Sequence, residues 1–195
     1  MRAWAAVHAL RPAAAAWAAG AVLVPASGRS TVPLFGHSGA GRATPTALLI
    51  PLVLATAVSF AVHDDAAALT RQRSRSILAA RATWDAVVLL PGALVAAAAA
   101  GHSHEISVVA AQRNYLAFTA ITVAALRVLA PGMSAIPAAA AAFASIALVG
   151  SASASWLPQP WNWLVQTQTT PSQLVVVGLA CLSALAWQGS WGERG

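Results

Sequence analysis

Charge is scarce in this chain. Of 195 residues, 11 are Lys or Arg and five are Asp or Glu, 8% in all, where an ordinary soluble domain carries roughly 25%. A soluble fold of this size needs more charge than that to cover its surface. The shortage excludes an ordinary cytosolic enzyme, a nucleic-acid-binding domain and a disordered tail. Lysine is absent altogether, so the net charge of +6 comes from arginine alone. Basic residues of this kind read as topology signals at the cytoplasmic ends of membrane spans, and no nucleic-acid partner is expected. Cysteine occurs once, at Cys181, which rules out an intrachain disulfide. Its apolar surroundings mark it as a small packing residue. The GxxxxGK[ST] phosphate loop is missing, so the chain binds no nucleotide by that route.

What the chain has in abundance is apolar length. Hydrophobic residues make up 58% of it, and mean hydropathy is +0.68. A hydrocarbon core about 30 Å thick takes roughly 17–25 helical residues to cross. Six segments approach that length: Pro12 to Ala26, Thr46 to Val62, Thr83 to Ala100, Tyr115 to Ala130, Ser134 to Val149, and Ser172 to Trp187. None alternates with period two, which argues against a membrane β-barrel. Within lipid a continuous apolar run satisfies its own backbone only as a helix. The expected fold is all-α: a polytopic transmembrane helix bundle of about six spans, forming one domain over residues 1–195. Pro51, Pro91 and Pro137 fall inside these segments, and each is expected to remove a backbone donor and kink its helix.

The arginines orient the bundle. The connection over residues 63–82 carries Arg71, Arg73, Arg75 and Arg81 within eleven residues. By the positive-inside rule that connection is cytoplasmic. Alternation then puts both termini inside, with eight arginines on the cytoplasmic side and three (Arg29, Arg42 and Arg113) outside. Tryptophan and tyrosine favour the headgroup region, and Trp84, Tyr115, Trp156, Trp161, Trp163, Trp187 and Trp191 all lie near segment ends. The N-terminus allows a second reading. Arg2, Arg11, an apolar core and the sequence VPASG also resemble a secretory signal cleaved near Ala26.

Candidate chemistry is sparse. His63, Asp64 and Asp65 form one polar cluster, and His102, His104 and Glu105 another; His and carboxylate suit zinc-like ions. The topology puts a membrane thickness between them, so polar residues closing helix ends is the better reading. Gly36-His37-Ser38-Gly39 has the Gly-x-Ser-Gly form of rhomboid proteases, but it lies in a Gly- and Ser-rich external loop. No later apolar run carries a histidine. No catalytic set, cofactor site or metal site is assigned, and the chain is not expected to be an enzyme. Arg81 and Asp85 are spaced i, i+4 and share a helix face. Arg127 lies at a similar depth on the fourth segment. A charge near the hydrocarbon is costly unless paired or snorkelling, so Asp85 is expected to face the bundle and meet Arg81 or Arg127. The alanine-rich fifth segment allows close helix contact. The stretch SASASWLPQPWNWLVQTQTTP over residues 151–171 reads as an external, amphiphilic element in the headgroups.

Six helices, an arginine-rich cytoplasmic connection after the second, and an amphiphilic external element before the sixth make an arrangement that resembles the permease subunits of short ABC exporters. In that family the connection between helices two and three docks on a separate ATPase. The resemblance implies that Asp64 to Arg81 is the docking stretch, with Asp64 or Asp65 capping a short helix and Arg71, Arg73 and Arg75 facing the ATPase. It also implies a homo- or heterodimer in the lipid of a bacterial plasma membrane, exporting a peptide, lipid or small hydrophobic compound. A non-catalytic membrane scaffold or accessory protein is the other reading of the same features.

Overall fold

The computed structural model describes residues 10–27, 31–32, 44–45, 49–62, 75–103, 106–150, 163–164, 166 and 169–191. They form six helices: α1 Leu10–Ser27, α2 Ile50–Val62, α3 Arg75–His102, α4 Val108–Ala125, α5 Ile136–Gly150 and α6 Pro171–Trp191. A two-residue antiparallel bridge, β1 Thr31–Val32 with β2 Thr44–Pro45, lies between α1 and α2. The all-α fold read from the sequence is thus observed. Two stretches are long and apolar enough to cross a bilayer, Thr83–His102 in α3 and Pro171–Gln188 in α6. Shorter apolar stretches fall in α1, α2 and α5.

The helices track the apolar segments, but their ends differ for local reasons. Where the sequence suggests a span from Tyr115, α4 begins at Val108. Ser107 has extended backbone and its hydroxyl accepts a hydrogen bond from the Ala110 amide at 3.1 Å, a complete N-cap. At the other end the bonds tighten: Arg127 N donates to the Ala124 carbonyl and Val128 N to that of Ala125. This three-residue spacing ends the helix in turns, well before Ala130. Helix α3 starts at Arg75, within the arginine-rich connection, and its apolar stretch begins at Thr83. The prolines also sort differently. Pro51 and Pro137 are the second residues of α2 and α5. A first-turn amide has no partner within the helix, so neither proline costs a hydrogen bond or kinks its helix. Pro91 is interior to α3.

Helix α4 is the hub, packing against α2, α3, α5 and α6. The main core joins residues from five helices, including Ala13, Leu54, Val58, Val88, Ala96, Tyr115, Val123, Cys181 and Leu185. Cys181 is buried there, a packing residue as its apolar neighbours suggested. A second cluster gathers Ala55, Phe118, Ala138 and Ala142, with Leu164 packed against it. Alanine recurs at these contacts because a small side chain lets helix axes approach closely.

Apolar side chains in this fold face outward as well as into the core, and several polar ones are inside. Leu90, Leu94, Val175, Leu179, Leu182 and Phe143 are exposed, several by about 60%. Arg113, Asn114, Ser59, Thr119, Thr122 and Ser145 are fully buried. A water-soluble domain puts aliphatic side chains inside and arginine outside. Exposed aliphatic faces of this extent mark a surface that meets lipid or another protein.

Candidate functional site

Four consecutive residues at the head of α4, Gln112-Arg113-Asn114-Tyr115, each reach another element. Because successive residues point about 100° apart on a helix, the four divide into two pairs. Gln112 and Tyr115, three apart, turn to α3. Gln112 Nε2 donates to the Ala93 carbonyl at 2.7 Å, and the Tyr115 hydroxyl to that of Leu89 at 3.0 Å. The two carbonyls flank Pro91 and Gly92. An ideal Cβ on Gly92 would lie 2.4 Å from the Tyr115 oxygen, so glycine is what lets the tyrosine reach the α3 backbone.

Arg113 and Asn114 turn instead to the segment leading into α6. The Arg113 side chain makes at least five hydrogen bonds. Nε and Nη2 donate to Asn114 Oδ1 at 3.1 and 2.9 Å. Nη2 also donates to the Gln166 carbonyl at 2.9 Å. Nη1 donates to Thr169 Oγ1 at 2.6 Å and to Gln173 Oε1 at 3.4 Å. A guanidinium has five N–H groups, and all three of its nitrogens donate here. Asn114 Nδ2 adds a bond to the Leu164 carbonyl at 2.8 Å. The amide of Gln173 extends the network, donating to Gln166 Oε1 and accepting from the Thr169 hydroxyl. A buried guanidinium stays protonated and is tolerated when its donors are satisfied. Here that satisfaction ties Leu164, Gln166, Thr169 and Gln173 to the head of α4.

At the opposite end of the same helix pair sits Arg127. Its guanidinium donates to the Trp187 carbonyl and lies 4.9 Å from the centre of the Trp187 ring, within cation–π range. Arg113 meets Gln173 and Arg127 meets Trp187, so each contact spans 60 residues in sequence. Equal offsets mean that α4 and α6 run parallel and in register. The two arginines are about 21 Å apart along that pair, taking 1.5 Å per residue.

The residues singled out in the sequence fare unevenly. Asp64, Asp65, Arg71 and Arg73 lie outside the described residues, as do His63, His104, Glu105 and the Gly36-His37-Ser38-Gly39 tetrapeptide. Arg75 and Arg81 are on the first turns of α3, where the backbone alone is described. Asp85 is half-buried on α3. His102 is exposed, and its Nδ1 is 2.8 Å from the Ala98 carbonyl. Among the described residues no group of three His, Cys, Asp or Glu is placed to hold a metal ion.

The chain matches no family model, and comparison with curated proteins and with solved structures found no similar chain. The reading therefore rests on the residues themselves. Arg113 entered the sequence analysis only as an external arginine, and Gln112, Asn114, Gln166, Thr169 and Gln173 not at all. Two signals were available: the polar run QRN heading an apolar helix, and the amide- and hydroxyl-rich QTQTT before α6. Neither names its partner, because fifty residues separate them.

Proposed function

We propose that this chain is a multi-pass protein of the bacterial plasma membrane, with six spans and both termini in the cytoplasm, acting as the permease subunit of an ABC-type exporter. The observation that carries the reading is the placing of apolar and polar side chains. Aliphatic side chains of α3, α5 and α6 face outward, while Arg113 and the amides around it are inside. In lipid the outward faces need no cover, and interior polar groups hold helices together. Helix directions support it too. The contacts of Gln112 with the Ala93 carbonyl and of Tyr115 with that of Leu89 run in opposite senses along α3 and α4, so the two are antiparallel, as alternating spans require. The arginine-rich stretch through Arg75 supplies a basic docking surface for an ATPase, with Asp64 and Asp65 at its start.

The test is co-purification. Tagged protein, solubilised in mild detergent, should retain an ATPase subunit, and Arg71→Ala, Arg73→Ala and Arg75→Ala together should lose it. Recovery of no ATPase, or retention by the triple variant, would discard the docking reading and favour a membrane scaffold.

A further inference from the structure

Two hydroxyls in the core of the bundle do not behave like the others. Serine and threonine within a helix commonly settle their hydroxyls by donating back to a carbonyl one turn earlier. Thr56 does so to Leu52 at 3.0 Å, and Ser145 to Ala141 at 2.7 Å. Thr119 and Thr122, on α4, are fully buried, and neither hydroxyl has a hydrogen-bond partner among the described residues. Buried polar atoms are seldom left so. The two threonines lie on the stripe of α4 that carries Tyr115 to α3.

The same stripe leads to a carboxylate. Gly92 and Asp85 are seven residues apart on α3, and Tyr115 and Thr122 are seven apart on α4. Seven residues make about two turns, so each pair shares a face. The Gly92 face meets Tyr115, and the two helices are antiparallel. Two turns back along α3 and two turns forward along α4 therefore bring Asp85 level with Thr122, with Thr119 one turn away. Val88 lies on the same α3 face between Gly92 and Asp85 and is fully buried, so that face stays covered over the interval. Asp85 is half-buried in the first turn of the apolar stretch Thr83–His102, and it is the one acidic residue among the described residues. A carboxylate placed there is costly unless its charge is balanced.

We propose that Asp85, Thr119 and Thr122 bind a monovalent alkali cation between α3 and α4. Carboxylate and hydroxyl oxygens are the donors a hard cation takes. One carboxylate balances one positive charge, whereas a divalent ion would bring surplus charge into a low-dielectric interior. Calcium, in addition, takes about six to eight oxygens. The ion enters from the Thr83 end and ties the two helices where Gln112 and Tyr115 no longer reach. The site needs the helix bundle in its membrane and no ATPase, so it stands or falls apart from the export reading.

Thermal unfolding of the full-length protein in lipid nanodiscs tests it, with choline chloride replaced by sodium or potassium chloride at constant ionic strength. At a hundredfold excess over its dissociation constant, the cation should raise the melting temperature by about 5 °C or more, and the rise should saturate. Asp85→Asn, and separately Thr119→Val with Thr122→Val, should each abolish the rise. Thr119→Ser with Thr122→Ser keeps both oxygens and should retain it, as should Thr56→Val, which lies outside the site. Should Asp85→Asn fail to fold, the unaltered protein and the two threonine pairs decide. Equal melting temperatures of the unaltered protein in all three salts overturn the site and leave Asp85 to a proton or an arginine. A rise that persists in Asp85→Asn also overturns it, because the cation would then act elsewhere.

Discussion

Gly92 and Tyr115 compete for one volume, and the glycine yields it. A methyl group at residue 92 would come within 2.4–2.7 Å of the tyrosine oxygen and ring. The ring is rigid and its hydroxyl is tied to the Leu89 carbonyl, so it cannot retreat without breaking that bond. Gly92→Ala should destabilise the protein by about 1–3 kcal/mol, the usual cost of overpacking. Gly20 provides the contrast. There an added Cβ would meet Leu54 Cδ2 at 2.6 Å, the far end of a flexible side chain. Gly20→Ala should cost clearly less than Gly92→Ala, and thermal unfolding of both variants in one detergent ranks them. Tyr115→Phe keeps the ring and loses the bond to Leu89. Interhelical hydrogen bonds in membrane proteins average about 0.6 kcal/mol, so a small drop of that order is expected in the same assay.

The exposed face of α6 makes a prediction at the scale of one element. Val175, Leu179 and Leu182 are exposed, whereas Val177, Cys181 and Ala184 are buried. A lipid-soluble photoreactive probe should label single reporter residues on the first set and spare the second, with helical periodicity. Uniform labelling along α6 would mean that α4 and α6 do not pack as described. The same helix shows how an element was legible in its outline and not in its partners. The run QLVVVGLACLSALAW announces a helix because nothing in it breaks one. That it lies parallel to α4, sixty residues out of step, is not written in either segment. It follows from Arg113 and Arg127, which meet α6 at its two ends.

At the scale of the whole molecule, the described helices present apolar faces outward. Alkaline carbonate should therefore leave it in the membrane pellet, and release to the supernatant would contradict residence in the bilayer. Orientation is tested by a single cysteine at Ser74 in a Cys181→Ser background. An impermeant reagent applied to intact cells should fail to label it, while the same reagent after lysis should succeed. Labelling from outside would reverse the assignment of the arginine-rich connection to the cytoplasm.

Helical class and the positions of the apolar segments were set by the sequence alone, because a local run of apolar residues is enough to dictate a helix in lipid. Its scarce charges likewise pointed away from an ordinary soluble surface. The tertiary structure decided what those segments do to one another: which prolines are harmless, which glycine admits a tyrosine, and why an arginine is buried. Arg113 looks like any loop cation in one dimension, since all its acceptors but Asn114 lie more than fifty residues away. Only when α4 and α6 come side by side do the Gln166, Thr169 and Gln173 oxygens join that of Asn114 around one guanidinium, and that is a property of three-dimensional proximity.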